Sequence, residues 1–176
     1  KTWLVIIMNK NKKLIIFGAG ETGILAQYYF QNDSEYEVVA FAADDEFVKE
    51  KSMLNLPLVP LSHLVKKYPP KQYSLFCGLS YRKLNSTREE KYNFLKKLGY
   101  KMASYISTRS VTWGDLKVGD NCFILENQTI QPTVSIGNNV TLWSGNHIGH
   151  RTIISDHVYI SSHVCISGFC KIGKVF

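Results

Sequence analysis

Four of the chain's five histidines, His147, His150, His157 and His163, fall within seventeen residues. A neutral imidazole titrates near physiological pH and can take the proton of an attacking amine or hydroxyl. Imidazoles from neighbouring segments can also hold a metal ion, but no Cys or carboxylate cluster joins these four at ligand spacing, and no metal is expected. The bland alternative is polar surface. His63 stands apart and reads as a helix-surface residue.

A second candidate is Gly18-Ala19-Gly20-Glu21-Thr22-Gly23, set between a strand pattern and a helical stretch. Glycines at this spacing let backbone approach a pyrophosphate, whose charge the helix N-terminus favours. Asp44-Asp45 follows the second strand, where a ribose- or base-binding carboxylate would sit. The competing reading is a tight turn packing helix on sheet, with the acidic pair merely ending a strand. A nicotinamide dehydrogenase is disfavoured because one small unit lacks the second mononucleotide half. A mononucleotide carrier fits better.

The elements that must position these residues differ between the two halves. From Val118 to Ile172 an aliphatic residue recurs at every sixth position, ten in one register. That period predicts a parallel β-helix, each hexapeptide forming one side and about 18 residues one coil. The aliphatic points inward, and the small fifth residue fills the narrow core. The glycine that follows in several repeats (Gly119, Gly137, Gly149) is expected to permit a corner with positive φ. On this frame His147 and His150 lie on one coil, while His157 and His163 share one repeat position on adjacent sides. None takes the inward aliphatic position, so all four are expected at the surface.

The first half reads as strand Lys13 to Phe17, helix Ile24 to Gln31 and strand Glu37 to Ala42. A loop punctuated by Pro57 and Pro60 follows, then a helix around Leu61 to Tyr68 and strand Ser74 to Cys77, ending at Gly78. Ser86-Thr87-Arg88-Glu89 reads as a capping box opening a helix to about Leu98. The pattern predicts a βαβαβα, Rossmann-like domain over 8–104, followed by a β-helix domain over 105–176.

With 45% hydrophobic and 20% charged residues the chain is globular rather than disordered. Its net charge of +7 is either solvated surface or a field for anionic small molecules such as nucleotide sugars or coenzyme A. No nucleic-acid module is present. None of the four cysteines forms a C-x-x-C pair, and all read as buried thiols in a reducing compartment, with Cys122 and Cys170 at small inward positions. The apolar run Trp3 to Met8 is too short to span a membrane or act as a signal. A cytoplasmic protein without membrane insertion is expected. Residues 1–7 read as an upstream extension. Lys174-Val175-Phe176 stops within a repeat, leaving strand edges uncovered, so a C-terminally truncated piece is expected.

Taken together, the glycine loop, Phe41-Ala42-Ala43-Asp44-Asp45, Gly78, Ser144 to His150 and Ile166-Ser167-Gly168 resemble a known group. From about residue 12 onward the chain resembles the bacterial sugar O-/N-acyltransferases of the sialic-acid O-acetyltransferase (NeuD-like) family. The resemblance implies a left-handed β-helix, a homotrimer, acetyl-CoA bound between neighbouring helices, and a nucleotide-sugar acceptor held by the N-terminal domain. It implies His150 as the catalytic base and Gly168 as a backbone N–H donor to the thioester oxygen. Tyr159 stands where some members have a second His near the acetyl group. Gly18, Ala19, Gly20, Glu21, Thr22, Gly23, Asp44, Asp45 and Gly78 match the nucleotide-sugar segment, and Trp143 and Arg151 the acceptor pocket. The implied chemistry is direct acetyl transfer to an amino or hydroxyl group in surface-glycan synthesis, without a covalent enzyme intermediate. Arg151 stands where the amino-sugar enzymes often carry an acidic residue, which leaves the orienting partner of His150 open. Two other readings are a non-catalytic nucleotide-sugar-binding scaffold trimer and a zinc-dependent β-helix enzyme of carbonic-anhydrase type.

Overall fold

A computed structural model describes residues 9–174. The extension over 1–7, residue 8 and residues 175–176 lie outside the described residues. Two apolar runs become the buried strands β1 (Lys12–Phe17) and β2 (Tyr36–Ala43), parallel and joined by helix α1 (Glu21–Asn32). The chain returns beside β2 through a 3-10 turn (Asp45–Phe47) and the hairpin β3 (Ser52–Met53) and β4 (Leu56–Pro60). Helix α2 (Leu61–Lys67) leads to β5 (Ser74–Cys77), and α3 (Ser86–Lys97) to β6 (Lys101–Met102). The order is β3-β4-β2-β1-β5-β6, with β3 antiparallel.

This sheet corrects the expectation of an N-terminal Rossmann-like domain. The crossover from β2 to its parallel neighbour β4 carries no α-helix, and α2 is only seven residues long. One face of the sheet closes a core within the α/β half, where Ile15, Phe17, Leu64, Leu75 and Leu95 pack together, but the other face does not. Leu14, Ile16, Phe30, Phe41 and Phe76 share one buried cluster with Tyr105, Phe123 and Leu125 of the first coils. β4 itself was hidden by its prolines: Pro60 ends the strand and Pro57 faces the short edge strand β3, both places where a missing N–H is tolerated. The capping box does not form either. Ser86 is already helical, Asn85 before it has φ 67°, and the Ser86 hydroxyl donates to the Lys83 carbonyl at 2.8 Å.

From Tyr105 onward, two-residue strands stack 18 residues apart into three parallel sheets. This parallel β-helix is consistent with the left-handed form. The sixth-position aliphatics from Ile124 to Ile166 are buried in one cluster, with Val118 and Ile172 half-covered at its ends. The corners differ from expectation. Positive φ recurs not at the glycines but two residues later: Asn121, Asn127, Thr133, Asn139, Gly145, Arg151, His157, His163 and Phe169. Gly119, Gly137 and Gly149 are needed for stacking instead. A Cβ on Gly149 would lie 2.3 Å from the Gly168 nitrogen in the next coil, and one on Gly137 2.7 Å from the Asp156 nitrogen.

The cysteines also depart from a uniform reading. Cys77 and Cys122 are buried, and desolvation pushes each thiol up to about 12. Cys170 is half-buried and Cys165 exposed, because Cys165 holds the strand position whose side chain points away from the coil.

Candidate functional site

The corner pattern separates the histidines. His157 and His163 occupy left-handed corner positions, with φ of 64° and 58°, where His, Asn and Gly are tolerated better than bulky residues. His157 is not at the surface. It is buried against α3, its ring 5.6 Å from that of Tyr92, and desolvation lowers its pKa. Its partners form a ladder across three coils. The Cys77 N–H donates to Asn121 Oδ1 (2.7 Å), Asn121 Nδ2 to Asn139 Oδ1 (2.8 Å), and Asn139 Nδ2 faces His157 Nδ1 (2.9 Å). Asn139 thereby presents a donor, so His157 Nδ1 is the unprotonated nitrogen. His163 is exposed, with its ring against Gly145, and His147 is half-exposed on a strand. His63 projects outward from α2.

His150 is different. It is exposed and lies on the corner before the strand Ile153–Ile154, with its backbone pinned from both neighbouring coils. Its N–H donates to Gln131 Oε1 (2.8 Å) and its carbonyl accepts from the Phe169 N–H (2.8 Å). The same Gln131 oxygen lies 3.0 Å from His150 Nδ1. The ring stands edge-on to Phe169 at 5.0 Å, and Gly168 leaves it room: a Cβ there would lie 2.6 Å from Cε1 and 3.0 Å from Nε2. His150 and Gly168 are thus brought together. The Arg151 guanidinium lies over the Phe169 ring, 5.2 Å from its centroid.

Trp143 and Tyr159 belong elsewhere on the coil. Trp143 lies at the opposite end of the side carrying His147–Ile148, so within one chain Trp143 and Arg151 occupy different corners. Tyr159 faces the α/β part, its ring tilted against that of Tyr81 (4.9 Å between centroids) and 6.5 Å from that of Trp143. Beneath it Arg88 is buried and donates to Thr141 Oγ1 and to the carbonyls of His157 (3.1 Å) and Val158 (3.3 Å). Desolvation lowers its pKa to about 10.

The glycine loop packs at the carboxyl end of β1 beside Gly78. A Cβ on Gly18 would meet the Gly78 oxygen at 2.7 Å, and one on Gly23 the Gly18 oxygen at 2.0 Å. Gly20 has nothing within 4 Å of such an atom, and as the residue before α1 it brings no side-chain cap to the helix. Ala19 and Glu21 flank it, and Glu21 and Thr22 open the helix. Asp44 pairs with Lys91 at 2.5 Å. Asp45 accepts from the Ser62 N–H (3.0 Å), capping α2 from outside, and the Ser62 side chain together with that N–H holds its carboxyl below the usual range. The two aspartates therefore have different partners.

Gln131 and Arg88 were not singled out from sequence. Gln131 stands 19 residues before His150, one coil plus one position, so the 18-residue period was the available signal. Arg88 was absorbed into the capping-box reading. Among the described residues no group of three or more His, Cys, Asp or Glu is placed to hold a metal ion, and no helix is long and apolar enough to cross a membrane.

No family model and no curated protein matches the chain. Solved structures do. The acetyltransferase domain of PglB from Neisseria gonorrhoeae FA1090 is 17% identical, with a TM-score of 0.70 over 86% of this chain and 72% of that one. WeeI from Acinetobacter baumannii AYE is 14% identical, with a TM-score of 0.62 over 89% and 75%. PerB from Caulobacter crescentus, in complex with CoA and GDP-perosamine, is 13% identical, with a TM-score of 0.55 over 90% and 84%. At these identities the likeness establishes a shared fold, and it does not single out the NeuD-like family.

Proposed function

We propose that this chain is an acyltransferase that moves an acetyl group from acetyl-CoA to an amino, or alternatively a hydroxyl, group of a nucleotide-linked sugar. The observation that carries this reading is His150: an exposed imidazole on a backbone pinned from two coils, with Gly168 left bare beside its ring. The similar structures support the class, since PerB was solved with CoA and GDP-perosamine and the PglB domain with acetyl coenzyme A. In the reaction the acceptor nitrogen attacks the thioester carbonyl carbon as His150 Nε2 takes its proton. The C–N bond forms, the C–S bond breaks, and the imidazolium returns the proton to the departing thiolate as free coenzyme A. The Gly168 N–H is the candidate donor to the developing oxyanion.

The 105–176 segment carries this chemistry, and the α/β part over 8–104 holds the sugar nucleotide. Gly18, Gly23 and Gly78 are explained by chain packing, whereas Gly20 has no such constraint. It leaves the uncapped start of α1 open to a phosphate. A homotrimer, placing a second coil against the exposed His150 corner, belongs to the same reading.

The test is coenzyme A release from acetyl-CoA with a panel of UDP-, dTDP- and GDP-linked amino and hydroxy sugars. Turnover with one acceptor, falling by about two to four orders of magnitude in His150→Ala, supports reaction and base together. Turnover that survives the substitution removes His150. Binding without turnover across the panel favours a scaffold.

A further inference from the structure

We propose that Gln131 is the positioning residue of His150: it holds the imidazole as the Nδ1–H tautomer and leaves Nε2 as its basic nitrogen. A backbone N–H can only donate, so the Gln131 atom that accepts from the His150 N–H at 2.8 Å is the carboxamide oxygen. That oxygen also lies 3.0 Å from His150 Nδ1. An unprotonated Nδ1 there would set two lone pairs against each other. A protonated Nδ1 makes a second hydrogen bond to the same acceptor. The contact therefore accommodates neutral Nδ1–H and the imidazolium, the two states a general base visits, and disfavours the Nε2–H form that could not accept a proton at that atom.

The arrangement answers the departure at position 151. The residue after the histidine is Arg151, engaged on Phe169 rather than on the imidazole. A neutral amide from the coil below takes the orienting role. Being uncharged, it fixes the tautomer without the added basicity a carboxylate partner would confer. That Nε2 acts as a base rests on the acyl-transfer reading above. The tautomer does not.

The experiment is long-range 1H–15N correlation spectroscopy of the full chain labelled at histidine, with the His150 signals assigned by their loss in His150→Gln. The wild type is expected to show a protonated Nδ1 and a pyridine-type Nε2. In Gln131→Leu the ring should move toward the Nε2–H form, and kcat should fall by about 10- to 100-fold with KM within about twofold, less than loss of the base itself. Gln131→Glu should restore the Nδ1–H tautomer and move the acidic limb of the pH–rate profile to higher pH. A wild-type ring in the Nε2–H form overturns the proposal, as does a Gln131→Leu protein with unchanged tautomer. If no acceptor turns over, the acyl-transfer reading fails while the tautomer measurement still decides the role of Gln131.

Discussion

Replacing Gly149 with alanine tests the stacking argument directly. The new Cβ would lie 2.3 Å from the Gly168 nitrogen, 2.5 Å from the Ser167 carbonyl carbon and 2.8 Å from the Gly168 Cα, all backbone atoms of the next coil. Ordinary contact needs about 1 Å more, and no flexible side chain can yield it. Lifting the coil by that amount would stretch the 2.8 Å bond from the Gly149 N–H to the Ile166 carbonyl, and the 3.0 Å bond from His147 to Val164, beyond hydrogen-bonding range. Two backbone hydrogen bonds at about 1 kcal/mol each, or overpacking strain of about 1–3 kcal/mol, give a loss of roughly 1–3 kcal/mol. For a chain of this length that is a fall in Tm of roughly 2–12 °C, read by circular-dichroism melting. Gly114 has nothing within 4 Å of an added Cβ. Gly114→Ala should therefore stay within about 0.5 kcal/mol of the parent. Equal melting of the two variants would refute the stacking role of these glycines.

Gly168→Ala should behave in the opposite way. The three atoms nearest its Cβ all belong to the ring of exposed His150, the first at 2.6 Å, so stability should hold within about 0.5 kcal/mol while displacement of the ring lowers acyl transfer by about 10²-fold, as a coenzyme A release assay would show. The burial that lowers the His157 pKa makes folding pH-dependent. The unfolded chain then binds more protons than the folded one, so stability is full above the unfolded value near 6.5 and declines as pH falls through it toward the lower folded value. Tm measured between pH 8 and 5 should fall with acidity, and His157→Asn, which suits the left-handed corner, should flatten that slope. Gly20→Ala, with open space at its Cβ, should keep its Tm yet raise KM for the sugar nucleotide by about tenfold. Gly23→Ala should instead destabilise, because its Cβ would sit 2.0 Å from the Gly18 oxygen.

The aliphatic period made the β-helix legible because every side must send an aliphatic inward to fill so narrow a core. Nothing in a single repeat says where the neighbouring coil sits, and that is where the reading slipped. Gly119, Gly137 and Gly149 stand out as turn residues until the next coil is placed over them. The true corners carry Asn, Thr, Arg, His and Phe, a mixture with no single-residue signature. The same blindness put His157 at the surface, since its burial depends on α3 lying across the coil. His150 was identified by resemblance, yet its partner Gln131 is a coil-to-coil relation visible only once the 18-residue offset is applied. In the α/β half the strands with continuous apolar runs were legible. β4, two of whose five residues are proline, was not, and with it went the topology that separates this sheet from a Rossmann-like domain.

What joins the two halves also bears on how the proposed acyl transfer would be organised. Arg88 is a buried cation held by a threonine hydroxyl and two carbonyls rather than by a carboxylate, a state whose desolvation shows in its lowered pKa. Withdrawing it would break its bonds to Thr141 and to the His157 and Val158 carbonyls together. It does not act alone. Asn121 binds both polar groups of the Cys77 backbone, Asp33 accepts from Thr108 and Tyr105, and Tyr92 and Lys96 of α3 converge on Asp120. Swinging the sheet away from the coils would break these contacts together and open the cluster shared by Phe76 and Phe123. Any hinge between the halves would have to break all of these contacts together, so they oppose movement of the glycine loop relative to the coil that carries His150.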